Sequence, residues 1–377
     1  MTGESGPTGA ISQICIDGAY GEGGGQLVRT AVALSALTGQ GVRVHHIRAG
    51  RAEPGLRAQH LAAVRALAEV CGAKLQGAEL GSRTLTFEPM MPPQPGKYHW
   101  EIGTAGAVTL LFQAVLWPLA LASGRSTITL VGGTHVEWSP PVDYVEQVYL
   151  PAVMKLALPA ASESGLATVS IGPWGWYPRG GGVVQAVVAG GARLHGLTWA
   201  QRGSLRAVSV LSAASNLPEH VRQRQADHAD FVLRKRGIKA KVRISSPPSP
   251  GQGTVVFVLA EYQHAIAGFT GYGRLRKPAE KVAEEACKAF VHYHERGQPV
   301  DKYLGDQLLL PVALAHAGSD ATVEESQYAV ESVTEHLLTQ AWVIGQFLPR
   351  VDIHIGGEKG EMGLVTVRAR HSFSASA

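Results

Sequence analysis

Residues 17–29 read DGAYGEGGGQLVR, and the rest of the chain is organised around this stretch. A short apolar run at residues 14–16 precedes it and predicts a buried strand, while residues 26–38 carry apolar side chains at helical spacing. The glycines between them can adopt positive φ angles at little cost, as a tight turn requires. A strand, a glycine loop and a helix start together direct backbone N–H groups and the positive end of the helix dipole toward one point. The sequence therefore predicts an anion site at this loop.

Two charged residues in the stretch favour phosphate as the anion. Glu22 lies inside the loop, where a carboxylate beside a phosphate indicates a divalent metal such as Mg²⁺ or Mn²⁺. Arg29 lies on the first helical turns and could clamp a phosphate. Neither a Walker A loop nor a dinucleotide fingerprint explains the glycines, because no Lys-Ser or Lys-Thr follows them and Gln26 replaces a required glycine. A tight turn without any ligand is the alternative interpretation.

The composition indicates a globular protein of one elaborated domain or two domains. The chain has 377 residues, 45% of them hydrophobic, and a net charge of only +4, which excludes a histone-like polycation but allows a local basic surface. Its three cysteines lack CxxC spacing and are typical of reduced thiols in a cytoplasmic protein. No secretory signal or membrane span is predicted, and residues 1–11 and 371–377 are expected to be mobile tails.

Alternating strand and helix patterns divide the chain into a large and a small domain. Residues 12–188 form two similar strand–helix–strand–helix units in tandem, which indicates a repeat. Residues 189–275 change to a more charged βαββ pattern and predict a small inserted domain. Basic residues between positions 234 and 243 could contact nucleic acid or could equally form a solvated face. Residues 276–370 return to the large domain.

Two arginines beyond the first helix extend the predicted anion site. Arg48 and Arg51 flank Ala-Gly at the predicted end of a strand, where they could grip one phosphate from two sides. Gln59 follows closely on the next helix. With Arg29 they would suit a doubly charged group, and exposed arginines paired with carboxylates such as Glu53 are the alternative.

One of the fifteen histidines has a setting suited to nucleophilic chemistry. The His45-His46 pair lacks the spacing and companions of a zinc site, so no structural zinc is predicted. Residues 332–335 read SVTE, a capping box that would put His336 in the first turn of the last helix. A helix N-terminus disfavours the imidazolium form and would leave a neutral nitrogen as a nucleophile.

Seven segments carry a resemblance to a known family. They read, in order, DGAYGEGGGQLVRTAVALS, IRAGRAEPGLRAQHL, GTAGAVTLLFQAVL, GGTHVEWSPPVDY, YPRGGGVV, DKYLGDQLLLPVALA and EHLLTQ, between about residues 12 and 350. Together they closely resemble the RNA 3′-terminal phosphate cyclases. The resemblance implies an α+β fold with a large domain of repeated βαβαββ modules and a small inserted βαββ domain. Each module would resemble the C-terminal domain of a bacterial translation initiation factor.

The resemblance also implies an ATP-dependent ligase reaction with a covalent intermediate. His336, in EHLLTQ, would attack the α-phosphate of ATP and carry AMP on nitrogen while pyrophosphate leaves. An RNA 3′-phosphate would take the AMP, and the neighbouring 2′-hydroxyl would then close a 2′,3′-cyclic ester and release AMP. ATP and a divalent metal, Mg²⁺ or Mn²⁺, are the implied cofactors, and RNA 3′-phosphate ends are the implied partner.

Family motifs imply roles for further residues of this chain. Glu22 would hold the metal, and Arg29, Arg48 and Arg51 would act in catalysis. The residues expected to bind RNA phosphate are Arg29, Arg48, Arg51 and Gln59, and those expected around ATP or AMP are Gln113, Pro140, Tyr303, Asp306, Gln307 and Phe269. Either Phe269 or Tyr272 could stack on adenine. His135 stands where family members often carry an acidic residue.

Two other functions compete with the cyclase interpretation. A non-catalytic relative that binds RNA or serves ribosome assembly would keep the fold but lack the histidine nucleophile, and His336 is present. Enolpyruvyl transfer uses related modules, but its motifs are not evident in this sequence. The natural RNA, the adenylation of 5′-phosphate ends and the oligomeric state, a homodimer included, stay open.

Overall fold

The computed structural model describes residues 13–158, 165–318 and 324–370. Several small mixed sheets with helices packed on them make up this mixed α/β fold. The tails predicted at residues 1–11 and 371–377 lie outside the described residues.

The first unit places the glycine loop at the carboxyl end of two parallel strands. This unit consists of β1 (Ile14–Asp17), α1 (Gly25–Thr38), β2 (Val42–His45), α2 (Ala58–Cys71), β3 (Lys74–Gln76) and β4 (Leu85–Glu88). Its sheet has the order β1-β2-β4-β3, with β1 and β2 parallel and the other pairings antiparallel. Gly39 ends α1 in the left-handed conformation, as glycines commonly do after a helix. The strand and helix predicted on either side of the glycine loop are confirmed.

The second unit repeats this arrangement. It consists of β5 (Lys97–Glu101), α3 (Val108–Leu121), β6 (Ser126–Gly132), α4 (Val142–Tyr144), a π-helical stretch (Val145–Tyr149), α5 (Leu150–Val153), β7 (Ala157–Leu158), β8 (Ala167–Ile171) and β9 (Gly182–Val188). The sheet has the order β5-β6-β9-β8 with the same strand directions as the first. Strand β7 lies apart from this sheet and pairs with β10 (Arg193–Leu194).

After β11 (Thr198–Trp199) the chain forms an inserted unit. Its elements are β12 (Leu205–Ser215), α6 (Glu219–Arg234), β13 (Lys241–Ser245), β14 (Gly253–Tyr262), β15 (Ile266–Tyr272) and α7 (Ala279–Arg296), and the sheet order is β13-β12-β14-β15. The predicted βαββ pattern lacked β15. Helix α7 packs on α6 and β15, and a Cβ at Gly271 would come within 2.1 Å of the Val282 carbonyl oxygen. The predicted boundary at residue 275 therefore separates α7 from the sheet that it covers.

The chain then completes a third unit together with β11. The remaining elements are α8 (Leu304–Ala315), β16 (Glu325–Val330), α9 (Glu335–Phe347), β17 (Val351–Gly356) and β18 (Gly363–Ala369). The sheet order β11-β16-β18-β17 matches the other two, since the first two strands are parallel and the fourth lies between the second and third. The sequence patterns predicted neither β11 nor β16.

Packing between helices brings the two ends of the fold together. Helix α1 packs against α2, α3 and α9, and α8 packs against α9, so that these helices share one continuous core. The glycine loop before α1 therefore lies beside the start of α9. Within the described ranges, none of the helices combines the length and apolar character that crossing a membrane requires.

Replacing Gly271 with alanine should destabilise the inserted unit, because the new methyl group would press on the Val282 carbonyl oxygen. We expect a loss of about 1–3 kcal/mol of unfolding free energy, as in other overpacked cores. Gly345→Ala is the matched control, since Gly345 is exposed on α9 with nothing within 4 Å of its Cβ position. That change should raise the unfolding free energy by about 0.5–1 kcal/mol, because alanine has a higher helix propensity than glycine. Urea unfolding measures both effects, and a similar response of the two variants would contradict the packing described here.

Candidate functional site

The glycine loop is held against α9 by one close approach and one aromatic stack. Gly21 has a φ of 58°, and a Cβ there would come within 2.2 Å of the Thr339 Oγ1 on α9. Beside it, the rings of Tyr20 and Trp342 stack with their centroids 3.9 Å apart. A side chain at Gly21 would suffer both from its backbone conformation and from this contact. The loop position thus depends on glycine at this point.

The start of α1 offers free backbone donors beside a neutral imidazole. Gly24 caps α1 without a side-chain hydrogen bond, so the first N–H groups remain available to an anion. A Cβ at Gly25 would come within 2.0 Å of His60 Nε2, which leaves room for glycine alone. Burial, reinforced by the positive charges of Arg29 and Arg48, lowers the pKa of His60 to about 3. His60 is therefore uncharged at neutral pH.

Helix α9 begins at a threonine cap two residues later than the sequence predicted. Thr334 is the N-cap, and its Oγ1 accepts a hydrogen bond from the Leu337 N–H at 3.1 Å. The capping box predicted at Ser332 is wrong, because the chain at that residue has not yet entered the helix. His336 nevertheless lies in the first turn of α9, as predicted.

A single amide fixes the ring of His336. The Gln26 amide nitrogen donates to Asp306 Oδ2 at 2.6 Å and to Gln340 Oε1 at 3.2 Å, so its oxygen faces His336. That oxygen can only accept, and it contacts His336 Nδ1, which therefore carries a hydrogen. The other ring nitrogen, Nε2, lies 2.6 Å from Glu22 Oε2. The network reserves Nε2 for interactions with the glycine loop.

The charges around His336 favour its neutral form. Burial lowers the pKa of His336, Glu22 opposes the shift, and the cations Arg29 and Arg51 reinforce it. Burial also lowers the pKa of Arg29 to about 10, so that this guanidinium keeps its charge at neutral pH. The site thus combines a neutral imidazole with fixed positive charge.

The two arginines after β2 make different contacts. Arg51 forms an ion pair with Glu22 through its Nη2 atom. Arg48 has a φ of 53°, and its Nη1 donates to the carbonyl oxygens of Glu53 at 2.7 Å and Gly55 at 3.0 Å. Arg51 therefore belongs to the cluster of His336, Gln26, Glu22 and Arg51, which we call the His336 cluster. Arg48 instead holds its own loop and adds positive charge nearby.

Further predicted residues connect the units. Gln59 accepts a hydrogen bond from the Ala107 N–H at 3.3 Å and so ties α2 to the loop before α3. Gln113 on α3 donates to Gln307 Oε1 on α8 at 2.7 Å, and Gln307 in turn donates to the Tyr303 carbonyl oxygen at 2.7 Å. The structure thus brings Gln113, Gln307 and Tyr303 together across two units.

The loop before α4 lies at the inserted unit. The Pro140 carbonyl oxygen accepts a hydrogen bond from Thr109 Oγ1 at 2.8 Å, which fixes the loop to α3. The neighbouring Ser139 carbonyl oxygen accepts from the Tyr272 hydroxyl at 3.3 Å. Tyr272, at the end of β15, therefore lies beside the predicted nucleotide residues.

Phe269, the other aromatic predicted for adenine, is in a different environment. Its side chain is only 1% exposed, and its ring packs against Phe290 and Tyr293 of α7 with centroids 5.9 and 5.3 Å apart. A ring enclosed in the core has no free face for a base. The prediction of adenine binding by Phe269 is therefore corrected, because alternation along β15 turns its side chain inward.

His135 is part of the protein interior. Its Nε2 lies 2.7 Å from Asp143 Oδ2, and its ring stacks on Trp174 with centroids 3.6 Å apart. The His135 imidazole thus has a structural partner in Asp143.

Sequence reasoning missed the residues that position His336. Thr339 and Gln340 follow His336 by three and four positions, and on a helix such residues share one face. Gln26 stood out only as the residue that breaks the dinucleotide fingerprint. The helical spacing within EHLLTQ was the available signal for Gln340.

Glu22 is the carboxylate predicted to hold a divalent metal. Its Oε1 contacts Arg51 and its Oε2 contacts His336, so both oxygens have partners. In the part of the chain that the structure describes, the one trio of His, Cys, Asp or Glu side chains close enough to share a metal does not include Glu22. Mg²⁺ is commonly held by one or two carboxylates together with waters and substrate phosphates. A single carboxylate of this kind could hold a metal only together with waters and the phosphates of a substrate.

A histidine held between the Glu22 carboxylate and the Gln26 amide, with arginine charge nearby and a glycine loop with free N–H groups beside it, is suited to phosphate-bearing substrates. The chain belongs to the RNA 3′-terminal phosphate cyclase family, whose family model matches residues 20–354.

Relatives from distant organisms match nearly the whole chain. A protein from Trichormus variabilis is 48% identical over 340 residues, covering 89% of this chain and 94% of the relative. One from Methylococcus capsulatus is 47% identical over 348 residues, covering 90% and 92% of the two chains. One from Pyrococcus abyssi is 41% identical over 357 residues, covering 95% and 99%. All three are named RNA 3′-terminal phosphate cyclase.

One solved structure, the enolpyruvyl transferase NikO from Streptomyces tendae, has 14% identity and a TM-score of 0.23, covering 59% of this chain and 38% of that one. A likeness this weak supports no argument about fold or function.

Two carboxylates at the start of α8 are held in a buried setting. Asp301 accepts hydrogen bonds from the Tyr144 hydroxyl at 3.0 Å and from the N–H groups of Tyr303 and Leu304 at 2.9 and 3.0 Å. Asp306 accepts from Gln26. Burial raises the pKa of each carboxyl to about 7, so both bind protons more tightly in the folded than in the unfolded chain.

Asp301→Asn should change how stability depends on pH. Between about pH 4 and 7 the folded protein keeps a proton on Asp301 that the unfolded chain releases, so wild-type stability falls as the pH rises through this window. The asparagine variant has no such proton to keep. Its unfolding free energy, relative to that of wild type, should therefore rise by up to about 1.4 kcal/mol per pH unit across this window. Urea unfolding at several pH values checks this, and parallel stability curves for the two proteins would contradict it.

Proposed function

We propose that this protein uses ATP to convert an RNA 3′-terminal phosphate into a 2′,3′-cyclic phosphodiester through a covalent histidinyl-AMP. The proposal rests most directly on the His336 ring, whose Nδ1 donates to Gln26 while Nε2 faces the Glu22–Arg51 pair at the glycine loop. Membership of the cyclase family supports the same reaction.

In the proposed first step, His336 Nε2 attacks the α-phosphorus of ATP, a P–N bond forms and pyrophosphate leaves. Because the neutral ring carries its hydrogen on Nδ1, the lone pair of Nε2 is free for the attack, and Glu22 Oε2, 2.6 Å from Nε2, is placed to take a proton from any imidazolium. The hydrogen on Nδ1 stays with Gln26, which holds the ring in one orientation. Proximity of a nucleophile with a fixed orientation is worth several kcal/mol of the barrier.

Two further steps complete the proposed cycle. An oxygen of the RNA 3′-phosphate attacks the α-phosphorus of the adenylate, the P–N bond breaks, and its electron pair returns to His336 Nε2. The neighbouring 2′-oxygen then attacks the terminal RNA phosphorus, loses its proton, and AMP leaves with the bridging electrons. The ribose supplies the second nucleophile, so that no other protein nucleophile is needed.

The remaining predicted residues keep their proposed roles with one exception. Arg29, Arg48, Arg51 and Gln59 would bind phosphate, and Gln113, Pro140, Tyr303, Asp306 and Gln307 would surround the adenylate. Tyr272 replaces Phe269 as the aromatic proposed near adenine, since its hydroxyl reaches Ser139, next to Pro140. Glu22 would contribute a carboxylate to Mg²⁺ or Mn²⁺, which would neutralise phosphate charge.

Other parts of the proposal concern the setting of the protein. A cytoplasmic location and the likeness of each repeat to the C-terminal domain of a bacterial initiation factor remain predictions. The shared strand order of the three repeats supports a common module. A non-catalytic RNA-binding protein is the alternative, and covalent labelling by ATP separates the two.

His336→Ala should abolish covalent labelling. Wild-type protein incubated with α-labelled ATP and Mg²⁺ or Mn²⁺ should retain a covalent label. The label should be lost in acid and kept in base, because a P–N bond is acid-labile and base-stable. His354→Ala is the matched control, since His354 is an exposed histidine on β17. Label retained by the His336 variant would refute the nucleophile, and an unlabelled wild type that still binds RNA would favour the non-catalytic alternative.

Arg51→Ala and Arg48→Ala should each slow cyclisation about 10²-fold or more without unfolding the protein, because each removes positive charge from the phosphate site. Arg65→Ala, at an exposed position on α2, is the control with the same loss of charge. Rates of cyclisation under saturating ATP, together with melting curves, measure the effects. Wild-type rates in both loop variants would mean that the phosphate clamp lies elsewhere.

A further inference from the structure

Three potential metal ligands meet outside the His336 cluster. Asp17 ends β1 and His45 ends β2, and the two residues are register partners in this parallel pair. His46 follows at once, so that one carboxylate and two imidazoles lie at the same end of the sheet. The sequence showed only the two adjacent histidines, and the fold supplies the carboxylate that was missing as their companion.

The backbone conformation of His46 places its ring on the same side as the ring of His45. Successive residues of a strand point to opposite faces, so the rings of His45 and His46 would ordinarily lie on opposite sides. His46 instead adopts a left-handed conformation with a φ of 51°, which is uncommon for a residue other than glycine. The two rings then meet at 89° with centroids 4.6 Å apart. Such backbone strain is often found at binding sites.

The ligand atoms have the separations of a metal site. His46 Nδ1 lies 3.1 Å from His45 Nδ1 and 3.2 Å from Asp17 Oδ1, and His45 Nδ1 lies 3.8 Å from the same oxygen. A circle through three atoms with these separations has a radius of about 2.0 Å, which is the length of a Zn–N or Zn–O bond. An ion slightly above the plane of the three atoms would contact all of them without a change of backbone.

From this geometry we propose that Asp17, His45 and His46 form a binding site for a first-row divalent transition metal of the Zn²⁺ type. Two imidazoles and one carboxylate are ligands that such ions prefer, whereas Mg²⁺ favours a shell of oxygens. The side chains are 48%, 38% and 65% exposed, in that order, so the ion is reached from solvent and water completes its shell.

The site is connected to the glycine loop through Asp17. Its Oδ1 also accepts a hydrogen bond from the Ala19 N–H at 3.0 Å, and its carbonyl oxygen accepts from the Tyr20 N–H at 3.1 Å. A bound ion would therefore fix the residue from which the loop departs. Metal binding itself requires neither His336 nor ATP, so it does not depend on the function proposed above.

Titration of the untagged, full-length protein with Co²⁺ tests the site, because a Co²⁺ ion on nitrogen and oxygen ligands gives visible absorption bands whose intensity reports its geometry. One equivalent should bind, Zn²⁺ should displace it, and His46→Ala or Asp17→Asn should weaken binding about tenfold or more. His99→Ala is the matched control, since His99 is also an exposed strand histidine beside a carboxylate, Glu101, at 3.0 Å.

The variants separate the possible outcomes. Retained binding in His336→Ala and in the His99 variant, with loss in both the His46 and Asp17 variants, would support the site. Equal Co²⁺ binding by wild type and the folded His46 and Asp17 variants, or no stoichiometric binding by wild type, would overturn it. Circular dichroism establishes that each variant is folded, and His45→Ala provides a third independent substitution.

Discussion

The contact between the glycine loop and α9 is the constraint on which the site depends. Gly21 fits against Thr339 because it has no side chain. Next to this contact, the stacked rings of Tyr20 and Trp342 also join the loop to α9. An aromatic pair of this kind contributes about 0.5–1.5 kcal/mol beyond the area that it buries. Through this contact a loop from the start of the chain carries Glu22 to a histidine near its end. The first and third repeats therefore build the site jointly.

Gln26 turns that proximity into a defined chemical arrangement. Its amide touches side chains on α8 and α9 while its own backbone belongs to α1. The two acceptors on its nitrogen side orient the amide, and the amide oxygen then keeps a hydrogen on His336 Nδ1. Only Nε2 remains for reaction, and it faces the carboxylate and arginine of the loop. The same amide connects the proposed nucleophile with Asp306, which is one of the proposed adenylate residues.

The sequence predicted those features that depend on residues close together in the chain. The glycines between an apolar strand and an apolar helix predicted the loop, and the first-turn position of His336 followed from the polar residues before α9. Long-range contacts were beyond such patterns. The third repeat is interrupted by the inserted unit, so its first strand, only two residues long, could not be associated with β16. Phe269 shows the same limit, because strand alternation alone did not reveal which face of β15 is covered by α7.

In the site, too, the sequence indicated individual residues but not the contacts between them. Arg51 and Glu22 were identified as charged residues near phosphate, but their ion pair and their common approach to His336 arise from packing of α1 on α9. Gln340 and Trp342 carried helical spacing and nothing that marked their partners. The trio at Asp17 is an extreme case, since two of its members looked isolated until the parallel pairing of β1 and β2 supplied the third.

A crystal structure of the wild-type protein after incubation with ATP would show most directly whether His336 forms a covalent bond to AMP. We expect continuous electron density from the Nε2 atom of His336 to the phosphorus of AMP, with Nδ1 still hydrogen-bonded to Gln26 and the phosphate oxygens directed at the arginines of the first repeat. Adenylate joined to Nδ1, joined to another residue, or bound with the imidazole turned away from those arginines would contradict it.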